Sequence, residues 1–309
     1  MSNLLFFKDL DSHYEICLCG IRLSLRHKSR LHYKPAQNTG IDKNSGRNPG
    51  IIVSLTSFPA RINMVHETID TLLEQTLKPD KIVLWLTKNQ FPNGDKDLPS
   101  NLLRQKKFGL EIEYYEENIK SYTKLLPSLQ KYPNDIIITV DDDAYYLPNL
   151  VESLYKAYLN NQKNIYTRRS VKLEFKDNKI SPVSPRKYGY KHLPNASYLN
   201  QLMGCSGVLY PPHSLYKDIT NTEIIKETVP THDDVYFWAM ALLNHTKIQV
   251  VGGFDEDLYF IEEAQAFSLK NINKKGQSGI SLEDAAQTMI NKYPQILKVL
   301  KEEQQQKQS

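Results

Sequence analysis

The sequence predicts an α/β fold: a mixed, mostly parallel sheet flanked by helices, with a short N-terminal extension and a helical C-terminal tail. Three observations predict it. Between residues 49 and 270, short apolar runs alternate with segments of helical periodicity, the pattern of strand–helix–strand units. The stretch "PAQNTGIDKNSGRNPG" is rich in Pro, Gly, Asn and Ser and marks off residues 1–48 as an extension and linker. Residues 271–309 hold the amphipathic run "SLEDAAQTMINKYPQILKVLKEE".

The elements follow in order. "IIVSL" is a continuous apolar run, as a buried strand should be. In "RINMVHETIDTLLEQTL", Ile62, Val65, Ile69, Leu72, Leu73 and Leu77 recur at helical spacing, and Pro79 ends the segment. "KIVLWLT" is the next strand, and "LEIEYYEE" a third, alternating Leu110, Ile112 and Tyr114 against Glu111, Glu113 and Tyr115. "YTKLLPSLQKY" is a short helix begun or broken at Pro127. "DIIITV" is an inner strand, and Pro148 can open the helix "PNLVESLYKAYLN". Beyond residue 165 come a strand "NIYTRRSVKLEF", a long loop, a small-residue turn with a strand "GCSGVLYPP", a helix "HDDVYFWAMALLNH" and a strand "KIQVVGG". Ser281, with Asp284 three residues on, is the N-cap of the tail, and Pro294 interrupts it.

Composition narrows the function. The chain has 309 residues, 40% hydrophobic and 24% charged, which describes an ordinary soluble globular protein. A net charge of +4 is too small to imply nucleic acid. The positive residues Arg22, Arg26, Lys28, Arg30 and Lys34 gather in one arm, "IRLSLRHKSRLHYK". That arm reads as a solvated segment or as a patch resting on anionic lipid, at about 1 kcal/mol per basic residue. Cys17, Cys19 and Cys205 form no CxxC pair, so a disulfide framework and a zinc site are not expected and a reducing cytosol is. No clean signal peptide and no membrane-length apolar run are present.

The chemistry concentrates at "IIITVDDD". Ligands of open α/β sheets bind outside the carboxyl ends of the strands. If strand geometry persists, Asp141 and Asp143 point one way and Asp142 the other. Two carboxylates on one side repel unless a cation sits between them. A hard divalent ion takes one or two carboxylates and completes its octahedron with phosphate oxygens. Aspartates in a row also occur as solvated turn residues; their place after an inner strand favours the functional reading.

With those residues in view, the chain resembles nucleotide-sugar glycosyltransferases of the Rossmann-like GT-A fold. It is most similar to the bacterial type associated with capsule and lipopolysaccharide biosynthesis. The blocks that carry the resemblance are "SLTSFPARI", "TLKPDKIVLWL", "SYTKLLPSL", "DIIITVDDD", "GVLYPP" and "HDDVYFWAMAL". The resemblance implies a DxD motif, here Asp141–Asp142–Asp143, with Asp141 and Asp143 at Mn2+ or Mg2+ and Asp142 at the ribose. It implies that Thr56, Ser57, Phe58 and Arg61 meet base, ribose and phosphate, and that Tyr122 and Lys124 contact the donor. Arg169 faces phosphate or acceptor, with Arg168 beside it as the other choice, and Gly204 lets the backbone approach the ligand. Asp233 or Asp234 is the general base, and N-capping is the competing job for either. Many such enzymes have a late histidine on the metal. This chain has none after His245, which leaves His232 for the role, and "KNINKKGQSG" is a loop that could close over the diphosphate.

The expected activity is metal-dependent transfer of one sugar, with inversion, from a UDP-linked donor to a hydroxyl of a growing lipopolysaccharide or capsule glycan. A lipid-linked acceptor suits the basic arm and the amphipathic tail, which would hold a cytoplasmic protein at the anionic inner face of the membrane. Two alternatives differ in sequence terms. A sugar-nucleotidyltransferase would show glycine in the loop after the first strand, where "SLTSFPAR" has none. A non-catalytic glycan-binding protein would need fewer clustered acids.

Overall fold

The computed structural model describes residues 5–10, 13–18, 21–26, 34–183, 195–252, 258–267 and 280–308. The chain divides into two units, Met1–Lys34 and Pro35–Ser309. The first carries β1 (Leu5–Leu10), β2 (His13–Leu18) and β3 (Ile21–Arg26), an antiparallel meander in which Phe7 stands opposite Ile16 and Ile16 opposite Leu23.

The second unit opens with β4 (Ile51–Thr56), α1 (Val65–Leu73), β5 (Lys81–Thr87) and α2 (Ser100–Arg104). Then come β6 (Leu110–Tyr115), α3 (Leu126–Lys131), β7 (Ile136–Thr139), β8 (Ala144–Tyr146) and α4 (Leu150–Asn160). The sequence predicts each of these elements except α2 and β8, and Pro127 lies in the first turn of α3.

Past residue 165 one expected strand becomes two. β9 (Ile165–Thr167) stays in the main sheet, while β10 (Ser170–Lys176) leaves it. The chain turns at Arg168–Arg169, where the Thr167 hydroxyl donates to the Arg169 carbonyl at 2.7 Å. β10 lies between β11 (Lys179–Pro182) and β12 (Asn200–Leu202) in a small antiparallel sheet. There follow β13 (Val208–Tyr210), α5 (Thr222–Thr228), α6 (Asp233–Leu243), β14 (Ile248–Val250) and β15 (Leu258–Phe260). The tail is α7 (Leu282–Lys292) and α8 (Gln295–Gln308). The break falls at Pro294, which has no N–H to give a helix. Ser281 and Asp284 form a reciprocal capping box at the start of α7.

The main sheet has the order β14-β9-β13-β7-β4-β5-β6. β4, β5, β6 and β7 are parallel, as are β9 and β14, and β13 alone runs against its neighbours β7 and β9. The central strands are buried on both faces. Ile52, Val83, Trp85 and Ile137 pack with α3, α6, α7 and α8, while Ile51, Val53, Leu84 and Ile138 pack with α1 and α4. The unit is therefore three layers deep, and the apolar composition of its strands has this cause. No helix among the described residues is long and apolar enough to cross a membrane.

The reversal of β13 positions the site. Val208, its first residue, pairs with Thr139 and Thr167, the last residues of β7 and β9. The turn that precedes β13 therefore stands at the same rim as the carboxyl ends of the parallel strands.

Candidate active site

β7 ends at Thr139, and Asp141, Asp142 and Asp143 follow before β8 begins at Ala144. Tyr146 of β8 holds this turn, because its hydroxyl accepts the Asp141 N–H at 2.8 Å and donates to the Cys205 carbonyl at 2.9 Å. The three carboxylates then part company.

Asp142 is 5% exposed. Its Oδ1 accepts from Arg61 Nη1 and its Oδ2 from Ser57 Oγ, each at 2.6 Å. Arg61 reaches Asp143 Oδ2 with Nη2 at 3.1 Å, and its guanidinium lies over the Phe58 ring. Thr56 Oγ1 donates to the Trp85 carbonyl at 2.9 Å. The residues expected to meet base, ribose and phosphate are thus bonded to one another and to the sheet. Their common effect is to lock the first-strand loop to the aspartate turn. Breaking such a buried pair from one side costs about 3–5 kcal/mol.

Asp141 faces the other way. Its Oδ1 lies 2.8 Å from Lys124 Nζ, and Asp233 Oδ2 lies 2.8 Å from the same nitrogen. The first contact is a hydrogen bond; the second is an ion pair whose angles fall outside hydrogen-bond geometry. The Asp234 Oδ1 accepts the Gly204 N–H at 2.9 Å. A Cβ on Gly204 would stand 2.5 Å from Lys124 Nζ and 2.8 Å from Asp234 Oδ1, so glycine is needed for the approach of this cluster. "DDD" and "HDD", far apart in the chain, meet here.

Tyr122 is fully buried and its hydroxyl donates to the Val229 carbonyl, so the structure places it in the core. Of the two arginines, Arg168 lies against Ser153 Oγ at 2.8 Å and against Gly252. Arg169 is half-buried and adds positive charge at Cys205, the residue that also feels Asp141 and Asp234. Burial pushes the Cys205 thiol well up, which leaves it an inert packing residue. His232 precedes α6 with Nδ1 3.2 Å from Thr231 Oγ1; burial lowers its pKa, against the charge of Asp233 and a hydrogen bond at the Ile280 backbone. The loop "KNINKKGQSG" lies outside the described residues. One site residue escaped the sequence reading. Gln265 donates from Nε2 to Asp143 Oδ2 at 2.9 Å, and the neighbouring Ile261 N–H reaches the Asp143 carbonyl at 2.8 Å. A lone glutamine in a short turn carries no signal of this.

The electrostatics separate the acids. Burial and then the charge of Asp141 push Asp143 up to about 6 against the pull of Arg61. Burial and then Asp233 push Asp234 up to about 8 against Lys124. Burial raises Asp142 as well, opposed by Arg61 and Ser57. Burial disfavours the charge on Lys124, but Asp141, Asp233 and Asp234 together outweigh it and hold the ammonium protonated.

Among the described residues, no group of three or more His, Cys, Asp or Glu could hold a metal. Asp141 and Asp143 nevertheless suit a hard cation. Each has one carboxylate oxygen that no described protein group engages, and their mutual repulsion is the second cause of the raised Asp143 pKa. An ion there would take one or two protein oxygens and draw the rest from water or phosphate.

No protein-family model matches the chain, and no curated protein matches it. Among solved structures it is similar to 4-diphosphocytidyl-2C-methyl-D-erythritol synthase from Anaerococcus prevotii, at 14% identity and TM-score 0.47, over 72% of this chain and 98% of that one. It is similar to TarS of S. aureus at 13% identity and TM-score 0.43, over 78% of this chain and 69% of that one. It is also similar to GalNAc-T7, crystallised with UDP, GalNAc and Mn2+, at 9% identity and TM-score 0.44, over 67% of this chain and 43% of that one. Likenesses of this size assign no chemistry to the site.

Proposed function

We propose that the protein is a metal-dependent glycosyltransferase that moves a sugar from a UDP-linked donor to a hydroxyl of a growing lipopolysaccharide or capsule glycan, with inversion. One observation carries the reading: Lys124 gathers Asp141 from the strand end and Asp233 from the start of α6 at 2.8 Å each. Acids fit to hold a donor and acids fit to deprotonate an acceptor therefore share one site.

Asp141 and Asp143 would hold Mn2+ or Mg2+ through their unclaimed oxygens. Bound there, the ion supplies Lewis acidity for a leaving nucleoside diphosphate. Asp234 suits the general base better than Asp233. Asp233 Oδ2 is paired with Lys124, whereas Asp234 Oδ2 has no hydrogen bond among the described residues. A base works best with a pKa near the working pH, and Asp234 lies at about 8. In the reaction the acceptor oxygen forms its bond to the anomeric carbon, the bond from that carbon to the diphosphate breaks, and the acceptor proton passes to Asp234. Arg169 acts on Cys205 together with Asp141 and Asp234, and its charge suits a phosphate or an acceptor. A lipid-linked acceptor, met at the inner face of the membrane, fits the basic arm of residues 1–48.

The test is transfer or hydrolysis from a panel of UDP-sugars with Mn2+. Turnover by the parent protein is expected, with a loss of about 10²–10⁴ for Asp234→Asn, the range of general-base catalysis. UDP should bind more tightly with Mn2+ than without it, and Asp141→Asn with Asp143→Asn should erase the difference. UDP uptake indifferent to divalent ions, or glycan binding with no turnover of any donor, would sink the reading.

A further inference from the structure

Lys124 is the least accessible cation of the site, with 4% of its side chain exposed. A lysine is almost never so buried unless paired. Its backbone is fixed too: Ser54 Oγ donates to the Lys124 carbonyl at 2.6 Å and lies 2.8 Å from Ser128 Oγ, which takes the Trp85 indole N–H at 2.7 Å. The side chain is thus anchored to β4 and β5 at its root and to two carboxylates at its tip. Gly204 closes the remaining approach, since even a methyl group there would strike both the ammonium and Asp234. A phosphate that reached this ammonium would compete for it with Asp141 and Asp233.

We infer that Lys124 is a positioning residue, which together with the Gly204 N–H fixes Asp233 and Asp234 at one spacing from Asp141. Its consequence for turnover rests on the glycosyltransferase reading; the geometry itself does not. The side that takes the acceptor proton and the side that holds the donor are thereby set by one buried cation. Misplacement by about 1 Å can cost on the order of 10²-fold in rate.

Two variants test this from opposite directions. Lys124→Met keeps the length and removes the charge; Gly204→Ala keeps the charge and displaces it. The crystal structure of Lys124→Met is expected to show Asp141 and Asp233 drawn apart, and that of Gly204→Ala to show the Asp234–Gly204 contact opened beyond hydrogen-bond range. Carboxylates that stay in place in Lys124→Met overturn the proposal whatever the activity. In kinetics with a UDP-sugar that the parent turns over, both variants should lose about 10²-fold in kcat, far more than they lose in UDP affinity with Mn2+ by calorimetry. The double variant Lys124→Met with Asp234→Asn should be no slower than Asp234→Asn alone, as for residues acting as a unit. Multiplicative losses, or a fall in UDP affinity that matches the fall in kcat, overturn it. If Lys124→Met does not fold, Gly204→Ala carries the same measurements. A parent protein that turns over no donor sinks the glycosyltransferase reading alone, and the crystal structures still decide the positioning role.

Discussion

At the scale of single residues, Asp234 holds a proton more tightly folded than unfolded. Its folded pKa is about 8 against an ordinary 3.8. A carboxyl raised in this way contributes stability at low pH and loses it as pH rises between those two values. A tenfold change in proton affinity is worth about 1.4 kcal/mol. Asp234→Asn removes the penalty, so its stability relative to the parent should grow by at least about 1.4 kcal/mol between about pH 5 and pH 8. Urea unfolding without added metal at both pH values measures this; a constant difference would show that Asp234 is ionised throughout. The identity of the acids was legible in the sequence because three aspartates follow an inner strand. The hydrogen bonds that join Arg61 and Ser57 to Asp142 were not. Residues that bind a ligand and residues that bind each other have the same polarity, and only their distances separate them. Tyr122 shows the same ambiguity: an amphipathic side chain beside a site lysine turned out to serve the core.

Among the elements, α7 is stabilised by a device that the sequence shows plainly. Ser281 Oγ accepts the Asp284 N–H at 3.1 Å, and α7 delivers Ala285, Ala286, Met289 and Ile290 to the core. Ser281→Ala should lower stability by about 1 kcal/mol in urea unfolding and leave UDP affinity untouched, since the cap contacts no residue of the acid cluster. Lys81–Thr87 keeps its expected bounds, and the strand expected over 110–117 ends two residues early, at Tyr115. The run from Ile165 to Lys176 did not reveal its break, because both halves are apolar enough for a strand and the turn depends on a hydroxyl bonding a carbonyl two residues on. Strand direction was equally hidden: three apolar residues at Val208–Tyr210 read the same either way along the sheet.

For the whole molecule, the basic residues of the arm fall in the first of the two units, Met1–Lys34. Every described residue of the two apolar cores lies in Pro35–Ser309. A chain starting at Pro35 lacks the basic residues Arg22, Arg26, Lys28, Arg30 and Lys34. It should lose binding to vesicles containing phosphatidylserine at low salt if the basic arm supplies the contact, since each basic residue near such a surface contributes about 1 kcal/mol. Equal sedimentation of both chains with those vesicles would remove the arm from that role. The alternation of strands and helices made the three layers legible in outline. Which distant segments share a rim was not, because that follows from topology and not from local pattern.

The reversed β13 has a cost as well as a use. Gly204 is brought to Asp234 by the alignment of a strand only three residues long. A slide of two residues would keep the same side chains facing each layer, yet carry the turn roughly 7 Å along the sheet at ~3.3 Å per residue. The fully buried Val208, Leu209 and Tyr210 would leave their places in the two cores, and the clasp between turn and helix would be undone. Packing and site therefore hang on the same three residues, and damage to this short strand should weaken both together.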